Sequence, residues 1–262
     1  MVDVQNEADG RNVPLAKVGV KGLEYPIRVL DRVNRVQHTA AKVDLYADLP
    51  RHFKGTHMSR FIEIFHRYRE DLSMPRFLQM LRCIRGDLEA ESAFGSMTFP
   101  YFMEKNAPVS GLPGMMSYEC RYQGWVRDSA KRHFTVSVCV PVTTVCPCSR
   151  AISDRGAHNQ RGMVRVEVEL GPFFWIEDII ALVEKSASSP VYSILKREDE
   201  KFVTEHAYDN PKFVEDLARD VYIELKGMDV FPRFSVEAEN FESIHNHSAF
   251  AFAEYDREAG HE

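Results

Sequence analysis

The sequence predicts an α+β fold built from two tandem ββααββ-like modules that share one sheet. Two observations support this prediction. Segments with alternating apolar residues, typical of strands, flank segments whose apolar residues recur every three or four positions, typical of amphipathic helices. The order of these segments is similar in both halves, although no residue-level repeat relates them. The predicted modules are residues 17–140 and 141–262, which follow a flexible N-terminal segment at 1–16.

The first module begins with an alternating segment at 42–49, which predicts a half-buried strand. Its apolar face is formed by Val43, Leu45, Ala47 and Leu49. Two helices are predicted next, at 59–72 and 75–90, because aromatic and aliphatic residues recur there at helical spacing. Pro75 suits the first turn of the second helix. Strands are then expected at 93–104, 115–126 and 132–145.

The second module repeats this order of elements. Residues 161–170 predict a strand whose apolar face is formed by Val164, Val166, Val168 and Leu170. Two helices and two closing strands are predicted after it, at 175–188, 211–227, 233–240 and 248–255. The last helix is expected to have Asn210 as its N-cap and Pro211 in its first position, and to stop at Gly227.

The composition excludes several classes of function. Hydrophobic residues make up 44% of the chain and charged residues 27%, which indicates a globular protein with a buried core. Five cysteines are too few for a disulfide framework and favour reduced thiols in the cytoplasm. A net charge of −6 without a long basic stripe argues against binding to nucleic acid or a membrane surface. Neither a signal peptide nor a membrane span is indicated.

Two thiols and a histidine lie close together in the segment TTVCPCSRAISDRGAHNQRG, residues 143–162. Residues i and i+2 of an extended segment share a face, so Cys146 and Cys148 are expected to face one cleft. A return of the chain would bring His158 back toward them. Structural zinc sites usually contain two CxxC pairs, whereas this chain has a single close pair of thiols. A mixed-ligand site with an open position is therefore favoured, and Cys83, Cys120 and Cys139 are predicted to be buried hydrophobic residues.

Other polar residues have ordinary structural explanations beside functional ones. Glu200 lies in the charge run REDEK, which is typical of a solvated surface, and Glu215 fits the polar face of a helix. His245 and His247 would face the same side of a strand and could transfer protons in one cleft. The segment KGTHMSR is either a helix cap with a charged first turn or an anion site at a helix N-terminus; its candidate residues are Lys54, His57, Ser59 and Arg60.

Six blocks of the sequence together resemble the prokaryotic type IB GTP cyclohydrolase I family. They are KVGVKGLEYPI (17–27), LPRHFKGTHMSRF (49–61), VCPCSR (145–150), GAHNQRG (156–162), DEKFVTEHAYDNPKFVED (199–216) and AENFESIHNHSAFA (238–251). The similarity extends from about Lys17 to Tyr255. Arg150 is a departure, since lysine is expected after CPCS; the positive charge is kept.

The resemblance implies a metal-dependent hydrolase that acts on a cyclic amidine C–N bond. It would convert GTP and water to 7,8-dihydroneopterin triphosphate and formate, the first step of tetrahydrofolate biosynthesis. The resemblance also implies the tunnelling fold (T-fold), with an antiparallel sheet and helices on one face. The expected assembly is a homotetramer with active sites at subunit interfaces, in which the second module carries most of the active-site residues.

The resemblance also assigns residues to roles. Cys146, His158 and Glu200 are the implied metal ligands, and three protein ligands leave a fourth position open for water. Zinc, manganese or iron would each suit this borderline set of donors. Glu215 is the implied guanine-recognising residue, and His245 and His247 are implied to transfer protons. Cys148 would donate a proton or act as an alternative ligand, and Glu242 would orient a histidine or contact the substrate. The implied triphosphate-binding residues, supplied by a neighbouring subunit, are Lys54, His57, Ser59 and Arg60.

Two other functions were compared with this interpretation. A T-fold nitrile reductase of the queuosine pathway would use a cysteine as a thioimide-forming nucleophile with a nicotinamide cofactor. Its expected ESK-type signature is absent, because this chain reads ESIHNH. A non-catalytic metal-binding protein would need neither the pair of histidines in that segment nor a carboxylate that recognises guanine.

Overall fold

The order of strands and helices follows the predicted α+β pattern. The computed structural model describes residues 10–127, 131–169 and 171–259. Within these ranges the elements are β1 (Leu15–Asp31), β2 (Arg35–Leu49), α1 (Met58–Tyr68), α2 (Met74–Asp87), β3 (Ala93–Asn106), β4 (Pro113–Val126), β5 (Arg132–Val145), α3 (Pro147–Ile152), β6 (Asn159–Glu169), α4 (Ile176–Ser186), β7 (Ser189–Pro190), α5 (Arg197–Asp209), α6 (Val214–Met228), β8 (Arg233–Asn240) and β9 (Ala249–Asp256).

The strands form a sheet in the order β1-β2-β3-β4-β5-β6-β8-β9, and β7 pairs with β5. Antiparallel strand pairs include β1 with β2, β2 with β3, β6 with β8, and β8 with β9. The chain divides into two compact units. The first unit runs up to Pro100 and includes Arg121–Val136; the second comprises Tyr101–Cys120 and the chain from Ser137 onward.

The first unit buries one face of its strands under two helices. In β2, Val43, Leu45, Ala47 and Leu49 are buried and the residues between them are half-buried, as the alternation predicts. The helix residues that complete this core are at most 1% exposed: Phe61, Phe65, Phe77, Leu81 and Ile84. The spacing of apolar residues therefore predicted this helical pair and the face that it buries.

The second unit has the same relation between alternating strands and amphipathic helices. Val164, Val166 and Val168 of β6 are fully buried, whereas the predicted Leu170 lies outside the described residues. Their partners in the core are Ile179, Ile180 and Val183 of α4 and Leu217 and Val221 of α6. Together the elements confirm the predicted class, an α+β fold with an antiparallel sheet and helices on one face. Among the residues described, every helix is too short or too polar to cross a bilayer.

The predicted caps of the last helix were wrong. The helix begins at Val214 rather than at Pro211, because Asp216 accepts a hydrogen bond from the Phe213 N–H at 3.2 Å and caps the first turn. Asn210 instead ends α5 as its C-cap. Gly227 lies inside α6, and the helix ends at Met228, followed by the C-cap Asp229 with a left-handed φ of +52°.

Strand β1 was not predicted, because register shifts interrupt its alternation. One shift lies between Val20 and Leu23 and includes Gly22. Gly22 has a φ of +70°, which glycine adopts readily, and its N–H donates to Asp44 Oδ1 at 2.7 Å. Of the predicted flexible segment 1–16, residues 1–9 lie outside the described residues, and β1 already begins at Leu15.

The turn between β1 and β2 is organised by the Asp31 carboxylate, which is 5% exposed. Its oxygens accept hydrogen bonds from the Val33 N–H at 2.9 Å, the Asn34 N–H at 2.6 Å and the Gln37 side chain at 3.0 Å. Burial alone would raise the pKa of Asp31, but the hydrogen bonds from Asn34, Gln37 and Val33 outweigh burial and lower it. The charged carboxylate therefore stabilises the folded turn.

Replacing Asp31 by alanine should lower the free energy of unfolding by about 1–3 kcal/mol at pH 7, because Val33, Asn34 and Gln37 lose a charged hydrogen-bond acceptor. Since the pKa is lowered in the folded state, the stabilisation is present above the unfolded-state pKa of about 3.9. It is lost as the pH falls through the folded-state pKa, so the difference between wild type and variant should shrink there. Urea denaturation at pH 7 and in the acid range would measure this difference.

Asp71→Ala serves as the control for this comparison. Asp71 is exposed and also accepts a backbone hydrogen bond, from Ser73 at 3.3 Å. A surface substitution of this kind should change stability by no more than about 0.5 kcal/mol. Equal losses in the two variants would contradict the role given to Asp31.

Candidate active site

Cys146 and His158 are held side by side where β5 ends and β6 begins. The Cys146 N–H donates to the His158 carbonyl at 3.1 Å. Ser149 connects the same two residues, since its N–H donates to Cys146 Sγ at 3.5 Å and its Oγ accepts from the His158 N–H at 3.1 Å. The predicted return of the chain toward the thiols is therefore present, and it brings the backbones of Cys146 and His158 into contact.

The expected extended conformation of the segment CPCS was wrong. Pro147 opens the short helix α3, for which Cys146 is the N-cap. Residues i and i+2 of a helix do not share a face, so the reason for expecting both sulfurs in one cleft no longer applies. Cys146 is half-buried, whereas Cys148 is exposed.

The ring of His158 is oriented by a buried amide. His158 Nδ1 lies 3.0 Å from Gln160 Oε1, and Gln160 Nε2 donates to Thr144 Oγ1 at 3.0 Å. An amide oxygen only accepts hydrogen bonds, so this contact places the hydrogen on Nδ1 and leaves Nε2 as the ring atom able to bind a metal. Gln160 was not predicted; the available signal was its position two residues after His158, since such residues share a face of a strand.

Glu242 belongs to the same cluster. Its Oε2 lies 4.0 Å from His158 Nδ1, and the two side chains are 12% and 14% exposed. The Phe241 N–H donates to the Arg161 carbonyl at 2.9 Å and holds this part of the chain beside the start of β6. The structure thus brings Cys146, His158 and Glu242 into one region of the second unit.

His245 and His247 do not lie on a strand as predicted. They follow β8 in a segment of bends, because pairing with β9 starts only at Ala249. Both side chains are exposed, and their rings stack with centroids 5.3 Å apart and planes 22° apart. The two imidazoles are nevertheless adjacent, which is the property that shared proton transfer requires.

Glu215 lies in the first turn of α6 and is exposed. The start of this helix is attached to the end of β5, because the Lys212 N–H donates to the Val145 carbonyl at 3.0 Å. The Val145 N–H in turn donates to Ser188 Oγ at 3.1 Å. Glu215 therefore lies three residues after Lys212, whose backbone contacts Val145, the residue before Cys146.

Glu200 is not gathered into the cluster around Cys146. It is exposed on α5, beside an open depression of about 470 Å³ that Arg197, Lys201 and Thr204 also line. Within the described ranges, no three His, Cys, Asp or Glu side chains are grouped closely enough to hold a metal ion. The structure therefore joins the backbones of Cys146 and His158, two of the three ligands implied by the resemblance, and leaves Glu200 exposed on α5.

Both ends of α5 are nevertheless anchored within the second unit. Near its start, Asp199 is fully buried; burial alone would raise the pKa of this carboxyl, but hydrogen bonds from Ser110, Lys196 and Val109 hold it below its ordinary value. Near its end, the Arg150 guanidinium of α3 lies 4.6 Å from the centre of the Tyr208 ring. Helix α5 is thus attached to the helix that Cys146 caps.

A buried ion pair supports the segment that contacts Val145. Lys105 Nζ lies 2.7 Å from Glu184 Oε1 and donates to the Val191 carbonyl at 3.0 Å. Tyr118 Oη donates to the same Glu184 oxygen at 2.9 Å. Burial lowers the pKa of Lys105, although Glu184 partly opposes this effect. These contacts fix the chain that follows Ser188.

The four residues predicted to bind phosphate lie in the first unit. Helix α1 begins at Met58, so the expected helix N-terminus is confirmed, with Ser59 and Arg60 in its first turn. Arg60 donates to the Asp87 carbonyl at 2.7 Å. Ser59 and Arg60 also line a depression of about 920 Å³. Lys54 and His57 precede the helix, with Lys54 exposed and His57 half-buried.

Comparisons with known sequences identify a family. The family model described as Type I GTP cyclohydrolase folE2 matches residues 1–251. A protein named GTP cyclohydrolase FolE2 from Syntrophus aciditrophicus is 54% identical over 254 residues, which cover 97% of this chain and 99% of that protein. A protein of the same name from Syntrophobacter fumaroxidans is 53% identical, with the same coverage of both chains.

Comparisons with solved structures concern the fold alone. The uricase from Arthrobacter globiformis matches 94% of this chain and 95% of its own, with a TM-score of 0.53 and 6% identity. The uricase from Bacillus fastidious matches 92% of this chain and 93% of its own, with a TM-score of 0.53 and 8% identity. The expected tunnelling fold is confirmed by this likeness, and at such low identity nothing about chemistry follows from it.

Proposed function

The chain belongs to the type I GTP cyclohydrolase folE2 family, and we propose that the cluster around Cys146 and His158 is its active site. The activity is that of GTP cyclohydrolase I, a hydrolase of the folate pathway that converts GTP and water to 7,8-dihydroneopterin triphosphate and formate. The relatives support neither the nitrile reductase nor the non-catalytic metal-binding protein. The observation that carries the site proposal is the backbone hydrogen bond from the Cys146 N–H to the His158 carbonyl at 3.1 Å, which joins the two residues that would supply a thiolate and an imidazole.

We propose that Cys146, His158 and Glu200 hold a divalent metal, for which zinc, manganese or iron are suitable. Two of these residues fit the group, because Cys146 offers a half-buried thiol and Gln160 leaves His158 Nε2 available. The assignment of Glu200 rests on the resemblance and on the attachment of α5 to α3. When bound, the metal would act as a Lewis acid and lower the pKa of a water molecule bound to it, so that this water could act as a nucleophile near neutral pH.

Four further residues are proposed to move or direct protons: His245, His247, Glu242 and Cys148. The stacked rings of His245 and His247 are exposed and adjacent, so they can exchange protons with a bound purine while its imidazole ring opens and a new ring closes. Glu242 is placed to orient His158 or to contact the substrate. Cys148 is exposed next to the site and is proposed as a proton donor or an alternative ligand.

We propose that a carboxylate binds the guanine base of the substrate and that a group of cationic and polar residues binds its triphosphate. Glu215 can accept two hydrogen bonds from N1 and N2 of guanine, a pair of donors that adenine lacks. The proposed triphosphate ligands of a neighbouring subunit are Lys54, His57, Ser59 and Arg60 at the start of α1. The homotetramer with active sites at subunit interfaces rests on the resemblance. A reducing cytoplasm suits the chain, whose five cysteines are all free thiols.

Metal removal tests the activity and its cofactor together. Purified protein should release formate from GTP and form a fluorescent oxidised pterin, and treatment with a chelator should abolish both products. Mn²⁺ should restore activity at least as well as Zn²⁺, because a carboxylate ligand weakens the preference for zinc. Full activity of the metal-free protein would exclude the metal-dependent mechanism.

Substitution of Cys146 by alanine should remove a thiolate ligand. We expect metal affinity to fall by at least about 100-fold, since even outer-shell changes cost about 10–100-fold, and turnover to be abolished. Metal content after dialysis and the rate of formate release would be measured. Cys83→Ala is the control, because Cys83 is half-buried in the first unit and contacts Tyr68 Oη at 3.2 Å. Normal metal content and rate in the Cys146 variant would remove this residue from the ligand set.

Substitution of Glu215 by alanine should impair recognition of guanine and leave the metal content unchanged. We expect kcat/KM for GTP to fall by about 10- to 100-fold or more, because each lost charge-assisted hydrogen bond is worth roughly 1.5–3 kcal/mol. Inosine triphosphate lacks the N2 donor, so wild type should discriminate against it more strongly than the variant does.

Glu224→Ala is the matched control on the same helix. Glu224 is exposed and lies 3.5 Å from Lys185, an exposed pair of the kind that contributes little to stability. Its kinetics with both nucleotides should match those of wild type. If wild type and the Glu215 variant discriminate the two nucleotides equally, guanine is recognised by other residues.

A further inference from the structure

The start of α5 is held by a carboxylate whose two oxygens are fully used. Asp199 Oδ1 accepts the N–H groups of Val109 and Ser110, both at 2.8 Å. Asp199 Oδ2 accepts the Ser110 hydroxyl at 2.7 Å and the Lys196 N–H at 2.8 Å. The side chain has no exposure to solvent.

Only one of these four hydrogen bonds is ordinary helix capping. An aspartate at the third position of a helix commonly accepts the N–H of the cap residue, which here is Lys196. The other three bonds come from residues 89 and 90 positions earlier in the sequence, in the turn between β3 and β4. Helix propensity therefore does not explain them, and they fix the helix to another part of the second unit.

The turn that supplies these donors is itself closed by backbone hydrogen bonds. The Ala107 N–H donates to the Leu112 carbonyl at 2.9 Å, and the Gly111 N–H donates to the Ala107 carbonyl at 3.1 Å. Gly111 has a φ of +69°, which the turn needs and glycine adopts readily. Asp199 thus binds to a closed turn rather than to a loose loop.

Glu200 is the next residue along the helix, so the same bonds determine where it is placed. Its N–H donates to the Lys196 carbonyl at 2.9 Å within the anchored turn. The first turn cannot rotate or slide without breaking bonds to Asp199. The far end of α5 is attached to α3 through Arg150, which lies 4.6 Å from the Tyr208 ring and 3.9 Å from Asp209.

We propose that Asp199 and Ser110 form a positioning pair that sets the place of Glu200 for metal binding. The inference rests on the proposed function, in which Glu200 is a metal ligand. Asp199 is not itself a ligand in this proposal, because all of its acceptor positions are occupied by the turn and the helix cap. Its effect on the metal is exerted through the backbone of α5.

The first unit provides a matched control with similar chemistry. Ser92 donates its hydroxyl to Asp48 Oδ1 at 2.7 Å, and its N–H donates to the same oxygen. The neighbouring Glu91 N–H donates to the other Asp48 oxygen at 3.2 Å. Ser92→Ala therefore removes the same kind of serine–aspartate bond as Ser110→Ala, without a connection to a proposed ligand.

The experiment compares Mn²⁺ affinity among four variants of the full chain. Ser110→Ala removes one hydrogen bond from Asp199 and leaves the carboxylate and the backbone unchanged, which should weaken Mn²⁺ binding by about 3- to 10-fold. Ser110→Thr keeps the hydroxyl and should restore affinity to within about twofold. Ser92→Ala should bind Mn²⁺ as wild type does, and Glu200→Ala should bind it far more weakly. Titration against a chromophoric chelator would measure each affinity.

Thermal unfolding of the metal-free proteins separates positioning from stability. A role only in stability predicts that Ser110→Ala and Ser92→Ala lower the melting temperature similarly and leave Mn²⁺ affinity unchanged, which would overturn the inference. If Glu200→Ala weakens Mn²⁺ binding and Ser110→Ala does not, the positioning pair fails while the proposed ligand stands. Wild-type affinity in Glu200→Ala would overturn the ligand assignment and, with it, the inference.

Discussion

The backbone at Val145 and Cys146 is the constraint on which the second unit's site depends. These two residues make three hydrogen bonds to other parts of the chain. The Val145 carbonyl accepts from the Lys212 N–H, the Val145 N–H donates to Ser188 Oγ, and the Cys146 N–H donates to the His158 carbonyl. They join the end of β5 to the start of α6, to the chain before β7 and to the start of β6. Since Cys146 also caps α3, its position is set by the helix that follows it directly and by three segments elsewhere in the chain.

Buried charges maintain this arrangement, and each has charged or hydrogen-bonding partners. Removing charges from water costs free energy, so a buried carboxylate is tolerated only where donors replace its hydration. Glu184 has Lys105 and Tyr118 as partners, and Asp199 has four donors. Through Lys105, Glu184 is linked to the chain that follows Ser188, and Asp199 holds the start of the helix that carries Glu200. What such buried groups provide is geometric specificity: they hold the attached segments in one arrangement.

Periodicity predicted the elements whose burial depends on local spacing. The alternation of β2 and β6 and the helical repeat around Phe61 and Phe77 each correspond to a buried face. Boundaries set by a single capping hydrogen bond or a single proline were missed. Asp216 overrides Asn210 and Pro211 at the start of α6, and Pro147 converts an expected extended segment into a helix. Local spacing contains no information about which of several possible caps is used.

The sequence predicts a set of candidate site residues but not their geometry. The order of Cys146, His158 and the later blocks suggested the family, yet pattern alone favoured a solvated role for Glu200, and the structure does leave it exposed. What connects Glu200 to the rest is a carboxylate one residue earlier that binds a turn 89 residues away. No periodic signal links such positions, because the contact depends on the completed fold. The residues proposed to orient a ligand, such as Gln160 and Asp199, are therefore the part of a candidate site that a single sequence conceals most completely.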